Sequence, residues 1–213
     1  GEMTRDAGPH ARVLPINVEP VTRVGATTRE GLLSAPFRAR FGLVERLDPY
    51  PTEDLERIVK RAAGILGIGV TDDGARALAA RSRGTPRLAG RYLTRARDRA
   101  QVRGLQAIDG DLAREALGHM GVDARGLEEM DRRILGCLAD HAPKPVALKT
   151  IAAVIGETED TIEDVFEPHL LRTGLVQKTP RGRTITARGL EAIARDPGTD
   201  AAGEGEDAPL FGS

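Results

Sequence analysis

The sequence predicts a mainly α protein assembled from small helical units, and three observations carry that expectation. From Tyr50 onward, apolar residues recur at the three- and four-residue spacing of helices, between turns marked by glycine and proline. Aromatic residues make up 3% of the chain and Trp is absent, so the cores must be built from Leu, Ile, Val and Ala. Such cores suit small helical domains better than a large sandwich. Near the C-terminus the helical period gives way to two short strand-like runs on either side of Pro180-Arg181-Gly182.

Element by element, residues 1–20 show no helical period, and Arg12 to Val18 roughly alternates as an edge strand interrupted by Pro15. Val21 to Thr28 reads as a short strand, a loop and short helix follow through Leu32, Leu33 and Phe37, and Phe41 to Leu47 reads as another strand. Thr52 is the expected cap of a helix burying Leu55, Ile58, Val59 and Ala62. Thr71 caps a second helix with Ala75, Leu78 and Ala79 inward. Gly84-Thr85-Pro86 starts a third, with Thr85 as N-cap and Pro86 at the first helical position, burying Leu88, Tyr92, Leu93 and Ala96. Asp109 caps a fourth through Leu112, Ala116 and Leu117. Four short helices with tight turns make a small bundle. After a linker at 121–127, helices are expected over Asp131–His141, Val146–Ile155 and about Glu159–Thr173, the last carrying Ile162, Val165, Phe166 and Leu170 and stopped by Gly174. Strands Leu175–Lys178 and Arg183–Thr186 complete a winged-helix arrangement. The tail beyond Pro197 is too polar and Gly-rich to fold.

Bulk properties exclude several classes. The single cysteine, Cys137, cannot form an internal disulfide and has the apolar neighbours of a packed helix residue, which points to a reducing, cytoplasmic setting. No stretch approaches the roughly 20 apolar residues of a membrane span, and no signal-peptide pattern opens the chain. His10, His119, His141 and His169 are scattered, so no metal site is expected. Net charge is −1, but the last 17 residues hold four acidic groups and no basic one. Without them, 31 basic residues face 28 acidic ones. Only Lys60, Lys144, Lys149 and Lys178 of those are lysine, and this arginine richness fits a GC-rich genome as well as phosphate recognition.

Three motifs carry a more specific message. Gly25-Ala26-Thr27-Thr28-Arg29 with Leu33-Ser34-Ala35-Pro36-Phe37-Arg38-Ala39-Arg40-Phe41-Gly42 resembles the strand end and second region of homology of RuvB-type AAA+ ATPases. Arg83-Gly84-Thr85-Pro86-Arg87 resembles that family's lid motif, and Thr179-Pro180-Arg181-Gly182-Arg183 its wing. All three stand in the family's order, so the resemblance covers roughly residues 9 to 190. It implies the end of an AAA+ α/β core at 1–48, a four-helix lid domain at 49–122, a C-terminal winged-helix domain at 123–195, and an acidic tail at 196–213.

The resemblance also implies roles. Phosphoryl transfer needs polar groups on rigid elements and cations near the γ-phosphate. Thr28 takes the sensor-1 position, where a hydroxyl orients the attacking water; read alone it is equally a turn threonine. Arg40 takes the arginine-finger position, with Arg38 second to it; without the family pattern either is a surface arginine. Arg87 takes the sensor-2 position, in the first turn of a helix whose positive end favours anions, although Arg87, Arg91 and Arg95 also form one face that solvent could claim. Tyr50, at the junction of core and lid, takes a place beside the adenine, or is a packed hinge residue. Pro86 shapes the same nucleotide edge. The cofactors implied are ATP/ADP and Mg2+, and the partners Holliday junction or duplex DNA, RuvA, RuvC indirectly, and copies of the chain in a homo-hexamer. Gly8-Pro9-His10-Ala11-Arg12 resembles part of the hairpin that docks on RuvA, though Met3-Thr4-Arg5-Asp6 does not read as its opening strand. Ala208-Pro209-Leu210-Phe211 reads as plain tail or as a short docking peptide.

The winged helix contains a contradiction. Its third helix, the usual groove reader, carries Glu159, Asp160, Glu163, Asp164 and Glu167, which phosphates would repel. The hairpin offers Lys178, Arg181 and Arg183 instead, suited to backbone or minor-groove contact without sequence readout. No G-x-x-x-x-G-K-[ST] occurs, nor an apolar strand ending in Asp-Glu. The chain is therefore expected not to hydrolyse ATP alone. Three readings follow: part of a branch-migration motor, a DNA-binding module without catalysis, or an assembly factor lending Arg40 in trans to a complete homologue.

Overall fold

The computed structural model describes residues 21–194 together with the backbone of two short strands, β1 (Glu2–Thr4) and β2 (Val13–Pro15). The chain divides into two compact units, residues 1–48 and 49–213.

In the first unit β1 and β2 pair antiparallel, with Met3 opposite Leu14, so the opening strand that the sequence did not reveal is present. A single 3-10 turn (Glu30–Leu32) and α1 (Ala35–Arg38) follow. Phe37 and Phe41 meet edge to face with ring centroids 5.4 Å apart. The strands expected over Val21–Thr28 and Phe41–Leu47 do not form. A strand needs a ladder partner and a buried face. Here Val24 is 91% exposed and Leu47 92% exposed, and neither stretch has a neighbouring strand among the described residues.

The second unit opens with the four-helix bundle: α2 (Thr52–Ile65), α3 (Asp72–Ala80), α4 (Pro86–Val102) and α5 (Gly110–His119). Thr71 caps α3 by accepting from the Gly74 N–H (3.2 Å), and Asp109 caps α5 by accepting from the Leu112 N–H (2.8 Å). Thr52 does not cap α2: it is the first helical residue, and the N-cap is Pro51, which offers no side-chain acceptor. Two-residue strands β3 (Gly69–Val70) and β4 (Ala107–Ile108) pair parallel and tie the α2–α3 connection to the α4–α5 connection, a contact too short to leave a period in the sequence. Alanines dominate the core around the fully buried Tyr92, Leu55, Leu78 and Leu93, so the helices approach closely. Gly74 belongs to the same economy, because a Cβ there would collide with the Ile108 carbonyl.

The remaining elements form a separate core. α6 (Glu129–Asp140) starts at a reciprocal capping box between Glu128 and Asp131 and buries Ile134, Leu135, Cys137 and Leu138. α7 (Leu148–Ile155) follows. The third helix is a composite: α8 (Glu159–Thr161), a π-helical turn (Ile162–Phe166) and α9 (Glu167–Arg172). Pro168 lacks an N–H for the helix ladder, and the wider turn before it accommodates that loss. Ile162 and Leu170 are buried as expected, whereas Val165 is 58% exposed. Strands β5 (Val176–Thr179) and β6 (Gly182–Ile185) form the wing, and Val146 bridges Arg183 from the other side. A last helix, α10 (Ala187–Ala194), was not expected. Thr186 starts it, its hydroxyl accepting from the Gly189 N–H at 3.0 Å, and it buries Ala192.

Candidate nucleotide and DNA contacts

The turn between α3 and α4 is the most constrained backbone in the lid. Arg83 and Gly84 both adopt left-handed φ values, 53° and 75°. Glycine is required at 84 by that φ and because a Cβ would collide with Pro49. The Gly84 carbonyl accepts the Tyr50 N–H at 2.9 Å, which places Tyr50, itself 49% exposed, beside the entry to α4. Thr85 is the N-cap of α4 as expected, but its side chain makes no capping bond. The first amides of α4 are thus left without a side-chain acceptor, and Pro86 has no N–H to satisfy.

Arg87 lies in that first turn, exposed, with no hydrogen bond or ion pair among the described residues. Its stripe neighbours differ. Arg91 pairs with Glu128 at 2.8 Å and sits over the Tyr92 ring, and Arg95 pairs with Asp98 at 3.8 Å. The structure therefore separates Arg87 from the rest of the stripe. A free guanidinium beside uncapped helix amides is a fitting receptor for a phosphate. Among the described residues no group of three or more His, Cys, Asp or Glu is placed to hold a metal ion.

Thr28, Arg38 and Arg40 lie in the first unit and all are exposed. Thr28 sits at a bend rather than at a strand end, just after Thr27, whose hydroxyl accepts the Arg29 N–H at 3.0 Å. Arg38 ends α1, and the Arg40 N–H donates to the Phe37 carbonyl at 3.2 Å. The Gly8–Arg12 segment and the Ala208–Phe211 segment lie outside the described residues.

At the wing, the three expected cations have different surroundings. Lys178 donates to Glu163 at 2.7 Å and stands 3.5 Å from Glu167. The bond to Lys178 holds the Glu163 carboxyl below its ordinary range, and the same bond raises the Lys178 ammonium. Arg183 makes two bonds to Glu167, at 3.1 and 2.8 Å, with side chains 12% and 5% exposed. Arg183 is thus an inward brace between wing and third helix and is not presented to a ligand. Arg181, at the turn, is exposed and has no partner among the described residues.

Sequence reasoning missed Lys149. It is exposed in the first turn of α7 and likewise without a partner. The Val146–Arg183 bridge brings the start of α7 alongside the wing: the Ala147 nitrogen lies 3.0 Å from where a Gly182 Cβ would stand. The readable signal was the acidic third helix itself. Five carboxylates beside a basic hairpin neutralise part of that hairpin.

Comparison with known proteins agrees along the chain. Three family models match in succession: the Holliday junction DNA helicase RuvB P-loop domain over residues 2–47, the RuvB AAA lid domain over 50–123, and the RuvB C-terminal winged helix domain over 124–194. The chain belongs to the RuvB family. It is 46% identical over 207 residues to the Holliday junction branch migration complex subunit RuvB of Chlorobium phaeobacteroides, covering 97% of this chain and 59% of that protein. The corresponding protein of Chlorobium luteolum is 50% identical over 186 residues, covering 87% and 54%. Among solved structures, the Thermotoga maritima RuvB Holliday junction branch migration motor matches with a TM-score of 0.76 at 40% identity, over 80% of this chain and 57% of that one. The chain thus spans somewhat more than half the length of these RuvB relatives. No helix among its described residues is long and apolar enough to cross a membrane.

Proposed function

We propose that this chain supplies the lid, the DNA-holding winged helix and the trans-acting arginine of an ATP-dependent motor subunit that drives Holliday junction branch migration. One observation carries the reading. Among the described residues Arg87 stands unpartnered at a helix N-terminus that no side chain caps, just beyond the Gly84 carbonyl that ties down Tyr50. In a RuvB-family lid that arrangement suits Arg87 as the sensor contacting nucleotide phosphates, with Pro86 shaping the same turn and Tyr50 beside the base. Arg40, with Arg38 second to it, serves as the finger toward a neighbouring copy's nucleotide in a hexameric ring, and Thr28 orients the attacking water. ATP/ADP and Mg2+ are the motor's cofactors. RuvA is the docking partner of the β1–β2 hairpin, and RuvC is reached indirectly.

DNA is held through phosphates by Arg181 and Lys149, with Lys178 shared between Glu163 and the ligand, and without base readout. Arg183 leaves the contact set and becomes the brace that fixes the wing. The test is fluorescence anisotropy of the purified chain on a four-way junction and on duplexes of different sequence across a salt series. Binding that ignores sequence and weakens steeply with salt is expected. Sequence-selective binding, or binding insensitive to salt, would overturn the DNA part of the reading. No ATP turnover by this chain alone is expected, since it carries no G-x-x-x-x-G-K-[ST]; turnover abolished by Arg87→Ala would contradict that.

A further inference from the structure

The lid and the winged helix have separate hydrophobic cores, one over Leu55 to Val122 and one over Leu127 to Ala192. Among the described residues no buried apolar cluster spans both, and polar contacts join them. Arg91 and Tyr92 of α4 bond Glu128, the N-cap of α6, at 2.8 and 3.1 Å, and Arg81 donates to the Asp123 carbonyl at 3.1 Å, but one residue reaches deeper into the winged helix. Arg83 is the only non-glycine residue with positive φ among the described residues, at 53°. A side chain held in that region costs free energy and persists only where the surroundings over-determine it.

The surroundings of Arg83 reach three parts of the winged helix. Its side chain is 9% exposed. Nε donates to the Gly126 carbonyl in the linker at 2.8 Å, and Nη2 pairs with the fully buried Asp131 in the first turn of α6. From α9, Arg172 Nη2 donates to the Arg83 carbonyl at 2.8 Å. Asp131 also accepts the Glu128 N–H at 2.7 Å, so Arg83 grips the group that starts α6. Burial pushes the Asp131 carboxyl up while the Arg83 charge pulls it down, which makes the pair dependent on both members. On its other side Arg83 adjoins Gly84, whose carbonyl holds Tyr50, and the first turn of α4 with Arg87.

We propose that Arg83 is a positioning residue that locks the winged helix to the α4 edge of the lid, so that the two domains move as one body. A displacement of the α4 N-terminus is then delivered to the wing through the Asp131 and Arg172 bonds instead of being lost in a flexible linker. The consequence for nucleotide and DNA rests on the function proposed above; the tie itself does not.

The experiment is a distance distribution by pulsed electron resonance on the full chain. Spin labels are placed through Arg61→Cys in α2 and Arg188→Cys in α10, both exposed, with Cys137→Ala as background. A single narrow distribution is expected for the parent. Arg83→Gly removes the side-chain bonds and relieves the left-handed backbone, so strain and tie are separated; a clearly broadened distribution is expected with helix content unchanged. Arg172→Ala, a change at an exposed side chain, should broaden it less. A broad distribution in the parent, or a native-width distribution in folded Arg83→Gly, would overturn the proposal. Should Arg83→Gly not fold, Arg172→Ala decides: broadening supports the tie and native width overturns it. The readout needs neither DNA nor nucleotide, so loss of junction binding would sink the proposed function and leave this inference standing.

Discussion

His169 gives the chain a built-in sensitivity to acid. The side chain lies in α9, 7% exposed, and its Nε2 is buried without a hydrogen-bond partner. Burial, with the Arg83 and Arg172 charges adding to it, lowers its pKa from 6.5 to about 4. In the unfolded chain the ring takes up a proton near pH 6.5, while in the folded chain it stays neutral until about pH 4. The unfolded state therefore binds more protons across that window, and stability falls as pH drops through it. The full difference corresponds to about 3 kcal/mol, of which about 2 kcal/mol is lost by pH 5. Urea unfolding followed by far-UV circular dichroism at pH 7.5, 6 and 5 measures the loss. His169→Gln keeps a polar side chain of similar reach and removes the titration, so its stability should vary by about 2 kcal/mol less than the parent's over the same range. An unchanged pH slope in His169→Gln would place the acid sensitivity on another group.

Other consequences follow from the capping and ion-pair geometry. Thr71→Ala and Asp109→Ala should each cost about 1 kcal/mol in urea unfolding, whereas Thr52→Ala and Thr85→Ala, which remove no capping bond, should cost about 0.3 kcal/mol or less. Equal losses at all four positions would count against the cap assignments. Arg183→Ala leaves Glu167 buried without its main partner, and a loss of about 3 kcal/mol is expected by thermal or urea unfolding. At the wing, Arg181→Ala and Lys149→Ala should each flatten the salt dependence of junction binding by about one unit in the log–log slope, weakening all sequences alike. A flattening confined to Arg183→Ala would return that residue to the contact set.

The helices were legible because their apolar period is long and their start signals are local. Thr71, Asp109 and the Thr85-Pro86 pair each mark an N-terminus within four residues of chain. Thr52 misled because a good capping residue one position inside a helix looks the same in sequence as one at its edge. α10 is hard to read although Thr186 is followed by Leu190 and Ile193 at helical spacing, since 8 residues, about two turns, give little period. The strands expected within residues 21–47 rest on short local runs, and a local run cannot supply the ladder partner a strand requires. Charges were the least legible. Lys178 and Arg183 carry the residue types of a DNA contact, but their pairing with Glu163 and Glu167 depends on how wing and helix pack. Lys149 gained its place only through the Val146–Arg183 bridge. Thr28, Arg38, Arg40, Arg87 and Tyr50 owed their roles to a family pattern, because an exposed arginine or threonine carries no local mark of its use.

Service as the lid and DNA-holding part of a RuvB-type motor is tested most directly by a chimera. The part of the Chlorobium phaeobacteroides relative that precedes the matched segment would be joined to this chain, and ATP-driven migration of a synthetic four-way junction would be followed. ATP-dependent migration is expected that Arg40→Ala and Arg87→Ala each abolish while junction binding persists. A folded, ATP-binding chimera whose turnover and migration are indifferent to both substitutions would contradict it.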